Sequence, residues 1–197
     1  MNNTHLPLPL VTIITPVYNS VTFIEDCILS VLNQTYPNIE YIIMDGGSND
    51  GTQAVAQKYA DKLTLISEKD GGQSNAINKG WTLGKGEIVA WLNADDIYLP
   101  DAVEKAVTHL QNHPDTGWVY GCAKFVDEQG EAGNYRYPIF EWSYEKLLQF
   151  GCYIVQPTVF LRRQVLDEFG MIDESLHYGM DYDYWLRIGK KFPPTFV

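Results

Sequence analysis

The sequence is poor in cysteine and contains no long apolar run. Its three cysteines, Cys27, Cys122 and Cys152, are far apart and match no metal-ligand spacing. An odd number of scattered cysteines argues against a disulfide framework or a zinc site and favours free thiols in a reducing compartment. No apolar stretch approaches the ~18 residues of a membrane span, and the N-terminus lacks the basic residues of a signal peptide. We therefore expect a soluble cytoplasmic protein without a transmembrane segment, and peripheral association with the inner face of the membrane stays open.

Positive charge and two common phosphate-binding motifs are also missing. The formal net charge is -11, which repels a polyanion, so we expect no nucleic-acid partner. The sequence has no G-x-x-x-x-G-K-[ST] loop and no G-x-G-x-x-G after its first predicted strand, the glycine-rich patterns that bind phosphates through backbone amides. If this acidic chain binds a phosphate compound, a divalent cation must lie between its carboxylates and the phosphates.

The first half of the chain alternates short apolar strands with helical patterns. Hydrophobic residues make up 45% of 197 residues, enough for one domain with a sizeable core. Strands alternating with helices predict βαβ units and an α/β fold with a mostly parallel sheet flanked by helices. Polar motifs follow each strand, where open parallel sheets bind ligands. The predicted strands are 10–15, 39–44, 63–66 and 87–92, and the predicted helices are 23–32, 50–59 and 73–83.

The second half is less regular. Residues 118–127 and 131–137 flank Glu128-Gln129-Gly130 and predict a small antiparallel hairpin. No repeat, linker or low-complexity stretch divides the chain, so residues 1–197 are predicted to form a single domain. The other predicted elements are a strand at 157–161 and helices at 100–111, 143–150, 163–169 and 181–190.

An acidic turn, Asn93-Ala94-Asp95-Asp96, follows the predicted strand 87–92. Carboxylates next to a buried strand need solvent, a cation or hydrogen-bond donors. One interpretation is a solvated loop in which Asp96 or Asp101 caps the next helix. The other is a carboxylate ligand for Mg²⁺ or Mn²⁺, which take oxygen ligands and share their shell with substrate phosphates.

Five segments resemble the family 2 glycosyltransferases of the GT-A fold, in the order of that family and over essentially the whole chain. The resemblance implies a Rossmann-like sheet and an inverting, nucleotide-sugar-dependent enzyme of bacterial cell-surface glycan synthesis. It also implies that residues 1–98 bind the nucleotide sugar and residues 99–197 form the acceptor side. The segments are VTIITPVYNS, LNQTYPNIEYIIMDGGSNDGT, EKDGGQSNAINKG, WLNADD and GMDYDYWLR.

The resemblance assigns the nucleotide pocket to the turns after the first three strands. Tyr18 would stack on the base, and Asp45 would accept a base N–H such as uracil N3–H. Guanine also offers N–H donors, so Asp45 does not fix the nucleotide, although a UDP-sugar is the favoured donor. Asp45 has a second interpretation as a turn residue before Gly46. Lys79 would neutralise a phosphate or be a solvated helix residue. The implied donor-binding residues are Thr15, Pro16, Tyr18, Asn19, Asp45, Asp70, Asn78, Lys79, Asn93 and Ala94.

The resemblance also implies a metal ligand and a base. Asp95 would be the main ligand of Mn²⁺ or Mg²⁺. Asn93 stands where the commoner family pattern has aspartate, so it would contact a ribose hydroxyl, while Asp96 would be a sugar contact or a cap. Asp181 matches the catalytic base, although Met180 replaces the usual glutamate; an N-cap is the alternative. Asp183 lies about 200° from Asp181 around a helix, so only one of the two faces the site.

The expected substrates are a nucleoside-diphosphate sugar and a glycan or lipid-linked acceptor. Trp142 and the segment Gln156-Pro157-Thr158 would shape the acceptor side. The alternatives are a sugar nucleotidyltransferase, whose glycine-rich basic N-terminal motif is absent, and a non-catalytic nucleotide-sugar or glycan-binding module. The family usually continues with further helices beyond the position of Val197. A truncated chain would expose apolar surface and favour a homodimer.

Overall fold

A computed structural model describes residues 8–127, 130, 133 and 140–197. The first half forms alternating strands and helices, as predicted. The second half contributes three more strands to the same sheet and four more helices. The elements are β1 Val11–Val17, α1 Ile24–Leu32, β2 Ile39–Asp45, α2 Thr52–Gln57, β3 Thr64–Ser67, α3 Gln73–Leu83, β4 Ile88–Trp91, α4 Ala102–Asn112, β5 Trp118–Tyr120, α5 Tyr144–Phe150, a 3₁₀ turn at Gln156–Thr158, β6 Phe160–Arg162, α6 Arg163–Phe169, α7 Met180–Gly189 and β7 Thr195–Phe196.

One seven-stranded sheet organises the fold, in the order β3-β2-β1-β4-β6-β5-β7. The first four strands are parallel, β6 is antiparallel to both β4 and β5, and β7 is parallel to β5. The predicted mostly parallel α/β sheet is therefore confirmed. Val11 pairs with both Ile39 and Ile88, so β1, β2 and β4 start in step and their carboxyl ends reach the same edge.

Helices cover both faces of the sheet and bury a separate core on each. The helices α1, α2 and α4 cover one face, with Ile24, Ile28 and Val107 fully or almost fully buried. The other face is covered by α3, α5, α6 and α7, where four buried tryptophans pack close together. Rings in this group stack at centroid distances of 5.5 and 5.1 Å, a packing that adds specific aromatic contacts to the hydrophobic burial. The four are Trp81, Trp91, Trp118 and Trp185.

Two boundaries differ from the sequence prediction for reasons of backbone chemistry. The strand β1 continues through Pro16 to Val17. Because β4 pairs with β1 only as far as Ile14, β1 has a single neighbour at Pro16, where a missing N–H is tolerated as on an edge strand. The strand predicted at 157–161 was placed too early, because Gln156–Thr158 forms a 3₁₀ turn and pairing begins at Phe160. Proline favours such a helical first turn.

The predicted hairpin is described only in part. Its first arm supplies β5, which pairs with β6 and β7. The backbone N–H of Gly133 donates to the carbonyl of Phe125 at 3.0 Å, but the remainder of the second arm, 131–137, lies outside the described residues. In the described part of the chain, no helix is long and apolar enough to cross a membrane.

Candidate active site at the carboxyl edge of the sheet

The turns after β1 and β2 are hydrogen-bonded to each other. Asn19 adopts a left-handed conformation with φ 50°, which asparagine tolerates better than most residues. Its backbone N–H donates to Ser48 Oγ at 2.8 Å, and its side-chain Oδ1 accepts the N–H of Asn49 at 2.9 Å. Tyr18, immediately before it, is 62% exposed. The turn therefore presents a tyrosine ring to solvent above a rigid backbone.

Thr15 and Pro16, two of the predicted donor-binding residues, lie in β1 with buried side chains. The Thr15 hydroxyl is fully buried and lies 2.9 Å from Tyr41 Oη. Pro16 is also buried within the strand. Their predicted contact with a nucleotide stays a prediction.

Asp45, the last residue of β2, is buried and hydrogen-bonded within its own neighbourhood. Its carboxylate accepts the backbone N–H groups of Gly47 and Ser48, the Ser48 hydroxyl, and the Ser67 hydroxyl at 2.5 Å. A buried carboxylate requires such donors, and its two oxygens have about four acceptor positions. These hydrogen bonds are those of a turn residue, which is the second interpretation that the sequence allowed for Asp45.

The turn after β3 approaches the turn after β2. Asp70 accepts the N–H of Gly72 at 2.8 Å, and a Cβ added to Gly46 would meet Asp70 Oδ2 at 3.0 Å. Lys79 pairs with Glu68 at 2.6 Å between partly exposed side chains, and the hydrogen bond to Glu68 raises the pKa of Lys79. Lys79 therefore forms an ion pair with Glu68, the residue that directly follows β3.

Asn78, another of the predicted donor-binding residues, is a buried residue of α3. It is 7% exposed, and its amide joins α3 to the segment before α7. Its Nδ2 donates to the carbonyl of Ile172 and to Glu174 Oε1, both at 2.9 Å, and its Oδ1 accepts the N–H of Ile172 at 3.1 Å. These three bonds connect α3 to residues 172–174, and the donor contact of Asn78 stays a prediction.

The acidic turn follows β4 and places two unlike carboxylates side by side. Asp95 is exposed, and its side chain has no hydrogen bond or ion pair to any residue that the structure describes. Asp96 is mostly buried, and burial together with the charge of Asp95 raises the pKa of Asp96 to about 6. The N-cap position of α4 belongs to Asp101, which pairs with Lys105 at 2.7 Å. Asp96 is therefore no helix cap.

Asn93 is enclosed by amide side chains that the sequence did not connect to it. Its Oδ1 accepts from Gln73 Nε2 at 2.7 Å, and its Nδ2 donates to Asp96 at 3.2 Å and to Gln156 Oε1 at 3.1 Å. Gln156 Nε2 donates in turn to the carbonyl of Trp91 at 2.9 Å. Ala94, beside Asn93, is 6% exposed and packs into the core under α1, so its side chain is not open to a ligand.

The predicted base, Asp181, lies in the first turn of α7. The N-cap position is Gly179, with φ 67°, so the alternative of Asp181 as the N-cap does not hold. Asp181 is partly buried and has no side-chain hydrogen bond or ion pair within the described residues. Burial, and next the charge of Asp181, raise the pKa of Cys152 to about 11. Asp183 instead pairs with Arg187 at 2.8 Å.

Contacts between α3 and α7 connect the two halves of the site. The Ser74 hydroxyl donates to Met180 Sδ at 2.6 Å, directly before Asp181. Asn75 at the start of α3 donates to Glu174 at 2.9 Å. Two of the expected acceptor-side residues have contacts within the protein: Thr158 Oγ1 donates to the carbonyl of Val155 at 2.7 Å, and the Trp142 ring packs edge-on against Trp118.

The residues of the acidic turn are compatible with a divalent cation. No group of three or more His, Cys, Asp or Glu side chains in ligand geometry is found among the described residues. Hard ions such as Mg²⁺ need only one or two protein carboxylates when substrate phosphates complete the shell. The exposed Asp95 can supply such a carboxylate, and a nearby cation would offset its repulsion with the partly buried Asp96.

Comparison with solved structures identifies the fold class. Residues 1–349 of S. aureus TarS, solved in complex with UDP, superpose with a TM-score of 0.77 at 20% identity, covering 95% of this chain and 57% of that one. The mannosyltransferase PcManGT from Pyrobaculum calidifontis, in complex with GDP-Man and Mn²⁺, gives a TM-score of 0.74 at 22% identity, covering 96% of this chain and 55% of that one. The fold is that of the GT-A glycosyltransferases.

Sequence comparison gives the family. Residues 12–170 match the profile of Glycosyl transferase family 2, and the chain belongs to that family. An uncharacterized glycosyltransferase of Rickettsia typhi is 34% identical over 190 residues, which are 91% of this chain and 58% of that protein. A chondroitin synthase of Escherichia coli is 31% identical over 94% of this chain and 27% of its own length. The chain thus spans little more than half of the first relative and about a quarter of the second.

Proposed function

We propose that this chain is the donor-binding and catalytic region of a metal-dependent inverting glycosyltransferase. It moves a sugar from a nucleoside-diphosphate sugar to a hydroxyl of a glycan or lipid-linked acceptor in cell-surface polysaccharide synthesis. The observation that carries the proposal is that two carboxylates have no hydrogen bond or ion pair within the described residues, Asp95 after β4 and Asp181 in the first turn of α7, in a family 2 chain.

A uridine nucleotide is the favoured donor. TarS, which has this fold, was solved with UDP and with UDP-GlcNAc, whereas the mannosyltransferase was solved with GDP-Man. In this chain Tyr18 offers an exposed ring for stacking. Because the carboxylate of Asp45 is filled by its own turn, we assign it to shaping the pocket floor. Asp70, Asn19 and Lys79 surround the same region, and Lys79 must leave Glu68 to reach a phosphate.

The proposed cofactor is Mn²⁺ or Mg²⁺ held by Asp95. When bound, the ion neutralises the diphosphate and so stabilises the departing nucleotide. The mannosyltransferase of this fold contains Mn²⁺. Asn93 is committed to three protein partners, so we assign the direct bond to Asp95 alone.

Asp181 is the proposed general base. A base must be ionised and within hydrogen-bond reach of the proton that it removes. Asp181 takes the proton of the acceptor hydroxyl as that oxygen attacks the anomeric carbon from the face opposite the leaving diphosphate, so the configuration inverts. The ion pair of Asp183 with Arg187 leaves Asp181 as the available carboxylate of α7.

The base assignment is tested by Asp181→Asn, which keeps the shape of the side chain and removes the proton acceptor. We expect transfer to fall by at least about 10²-fold, the lower end of the contribution of a general base, with nucleotide affinity within twofold of wild type. Asp183→Asn on the same helix is the matched control and should retain transfer. Wild-type turnover by Asp181→Asn in a radiolabelled-donor assay would refute the assignment.

The metal assignment is tested by calorimetry of donor binding with and without Mn²⁺. Asp95→Ala should lose the increase in affinity that Mn²⁺ gives the wild-type protein. Asp115→Ala, which removes another exposed carboxylate, should keep it. Equal Mn²⁺ stimulation in Asp95→Ala and wild type would exclude Asp95 as the ligand.

The proposed location is the cytoplasm, with the enzyme at the inner face of the membrane when its acceptor is lipid-linked. The exposed apolar side chains Leu148 and Phe150 on α5, which are 55% and 69% exposed, support self-association or membrane contact of this surface. Sedimentation of the chain with and without anionic vesicles distinguishes a homodimer from peripheral membrane binding.

A further inference from the structure

Three amide side chains from distant parts of the sequence form one hydrogen-bonded series across the proposed donor site. Gln73 is the first residue of α3, Asn93 follows β4, and Gln156 opens the 3₁₀ turn before β6. The bonds from Gln73 to Asn93 and from Asn93 to Gln156 are 2.7 and 3.1 Å. The series ends at the carbonyl of Trp91, which accepts from Gln156 at 2.9 Å.

The final carbonyl fixes the orientation of every amide in this series. A backbone carbonyl can only accept, so Gln156 must direct its NH₂ group to Trp91 and its Oε1 to Asn93. Asn93 must then direct its NH₂ group to Gln156 and to Asp96, which leaves its Oδ1 for Gln73. A carboxylate at position 93 has no N–H to offer, and it would face two acceptors.

We infer that Gln156 and Gln73 are positioning residues of the donor site, which act through Asn93 to hold the acidic turn Asn93–Asp96 against the start of α3. This inference rests on the proposed function. It explains why an amide occupies the place where the commoner family pattern has aspartate. It also makes the geometry of the metal turn depend on Gln156, a residue of the second half of the chain.

A network that only stabilises the fold predicts a different result from one that positions the site. Loss of a purely structural bond lowers the free energy of unfolding and leaves the ligand affinity of the folded protein unchanged. Loss of a positioning bond weakens ligand binding by the folded protein, and the effect requires the residue through which it acts. A double-mutant cycle between Gln156 and Asn93 separates the two.

The test uses Gln156→Met and Gln73→Met, which keep an unbranched side chain and remove its hydrogen bonds, alone and combined with Asn93→Ala. The probe is UDP with Mn²⁺ in titration calorimetry, or GDP if the wild-type protein binds that nucleotide instead. We expect each single variant to weaken binding about five- to tenfold, the loss for one hydrogen bond in a polar network. In the Asn93→Ala background, Gln156→Met should change the affinity by less than about twofold.

Gln164→Met is the matched control, because Gln164 is exposed on α6 and should bind nucleotide as wild type does. Asn93→Asp should also weaken binding, although it restores the commoner family residue. Unchanged affinity in Gln156→Met, a full effect of Gln156→Met in the Asn93→Ala background, or tighter binding by Asn93→Asp would each overturn the inference. If the wild-type protein binds no nucleotide with Mn²⁺, the proposed function fails first, and the inference fails with it.

Discussion

Asp96 is a carboxylate whose ionisation opposes folding, and its replacement by asparagine should stabilise the metal-free protein. Burial and the charge of Asp95 raise its pKa to about 6 from the reference value of 3.8. The native state therefore binds this proton more tightly than the unfolded state does. Between about pH 4 and pH 6, native stability falls as the pH rises, because ionising Asp96 costs more in the folded protein than in the unfolded chain.

The magnitude follows from the size of the pKa difference. About two pKa units at 1.36 kcal/mol each give roughly 3 kcal/mol of destabilisation above pH 6. Asp96→Asn removes this cost while its Oδ1 can still accept from Asn93, as Asp96 does at 3.2 Å. For a chain of this size, that gain corresponds to an increase in melting temperature of roughly 6–12 °C. At pH 4 the gain should shrink below about 1 kcal/mol.

The assay is denaturant unfolding of wild type and variant in EDTA at several pH values from 4 to 8. Asp115→Asn, at an exposed position, controls for the change in net charge and should show no such pH dependence. Two results would refute the raised pKa of Asp96. One is an equal free energy of unfolding for Asp96→Asn and wild type at pH 8. The other is the same dependence of that free energy on pH in both proteins.

Two further predictions concern residues outside the acidic turn. Asn78→Ala should lower the free energy of unfolding by about 2–3 kcal/mol, because two buried hydrogen bonds to Ile172 and a partly buried one to Glu174 are lost. Asn33→Ala, at an exposed asparagine, is the control, and similar urea midpoints for the two variants would contradict this. Cys152 should react slowly with iodoacetamide at pH 8, because its thiol pKa is about 11. Asp181→Asn should accelerate that reaction, since it removes a charge that raises the pKa, and an unchanged rate by mass spectrometry would place Asp181 elsewhere.

The local hydrophobic pattern of the sequence predicts most helices and strands, but it does not predict the order of the strands in the sheet. The helices α3 and α6 begin and end where hydrophobic periodicity predicts them, at Gln73–Leu83 and Arg163–Phe169. The insertion of β6 between β4 and β5 depends on pairing between strands that lie about 40 and 70 residues apart along the chain, and no periodicity records such pairing. The end of β1 was predicted too early. Proline ends most strands, but at Pro16 the strand β1 has a partner on one side only, so the missing N–H is tolerated.

In the candidate site, the positions of the turns could be predicted from the sequence, but the hydrogen-bond partners of the side chains could not. Turn residues such as Tyr18 and Asp95 are exposed at the expected edge, since strand ends can be placed from the sequence. The side-chain directions of Thr15 and Asn78 could not be predicted, because their partners lie 26 and 94 residues away. The role of Gln73 carried one local signal, its place at a helix start after Gly71-Gly72, but its partner Asn93 was visible only in the folded chain.

The position of β6 in the sheet also constrains how the protein can be synthesised. The chain makes β4 and β5 first and leaves between them a gap that only Phe160–Arg162 fills. A nascent chain that has not yet reached Phe160 therefore leaves one edge of β4 and both edges of β5 unpaired, because β6 and β7 come later in the chain. Such edges promote association with other chains. Since the pairing is non-local, closure of the sheet should be a late and slow event in folding. A chain whose synthesis stops within residues 121–159 would therefore be prone to aggregate, because β5 has been made and β6 has not.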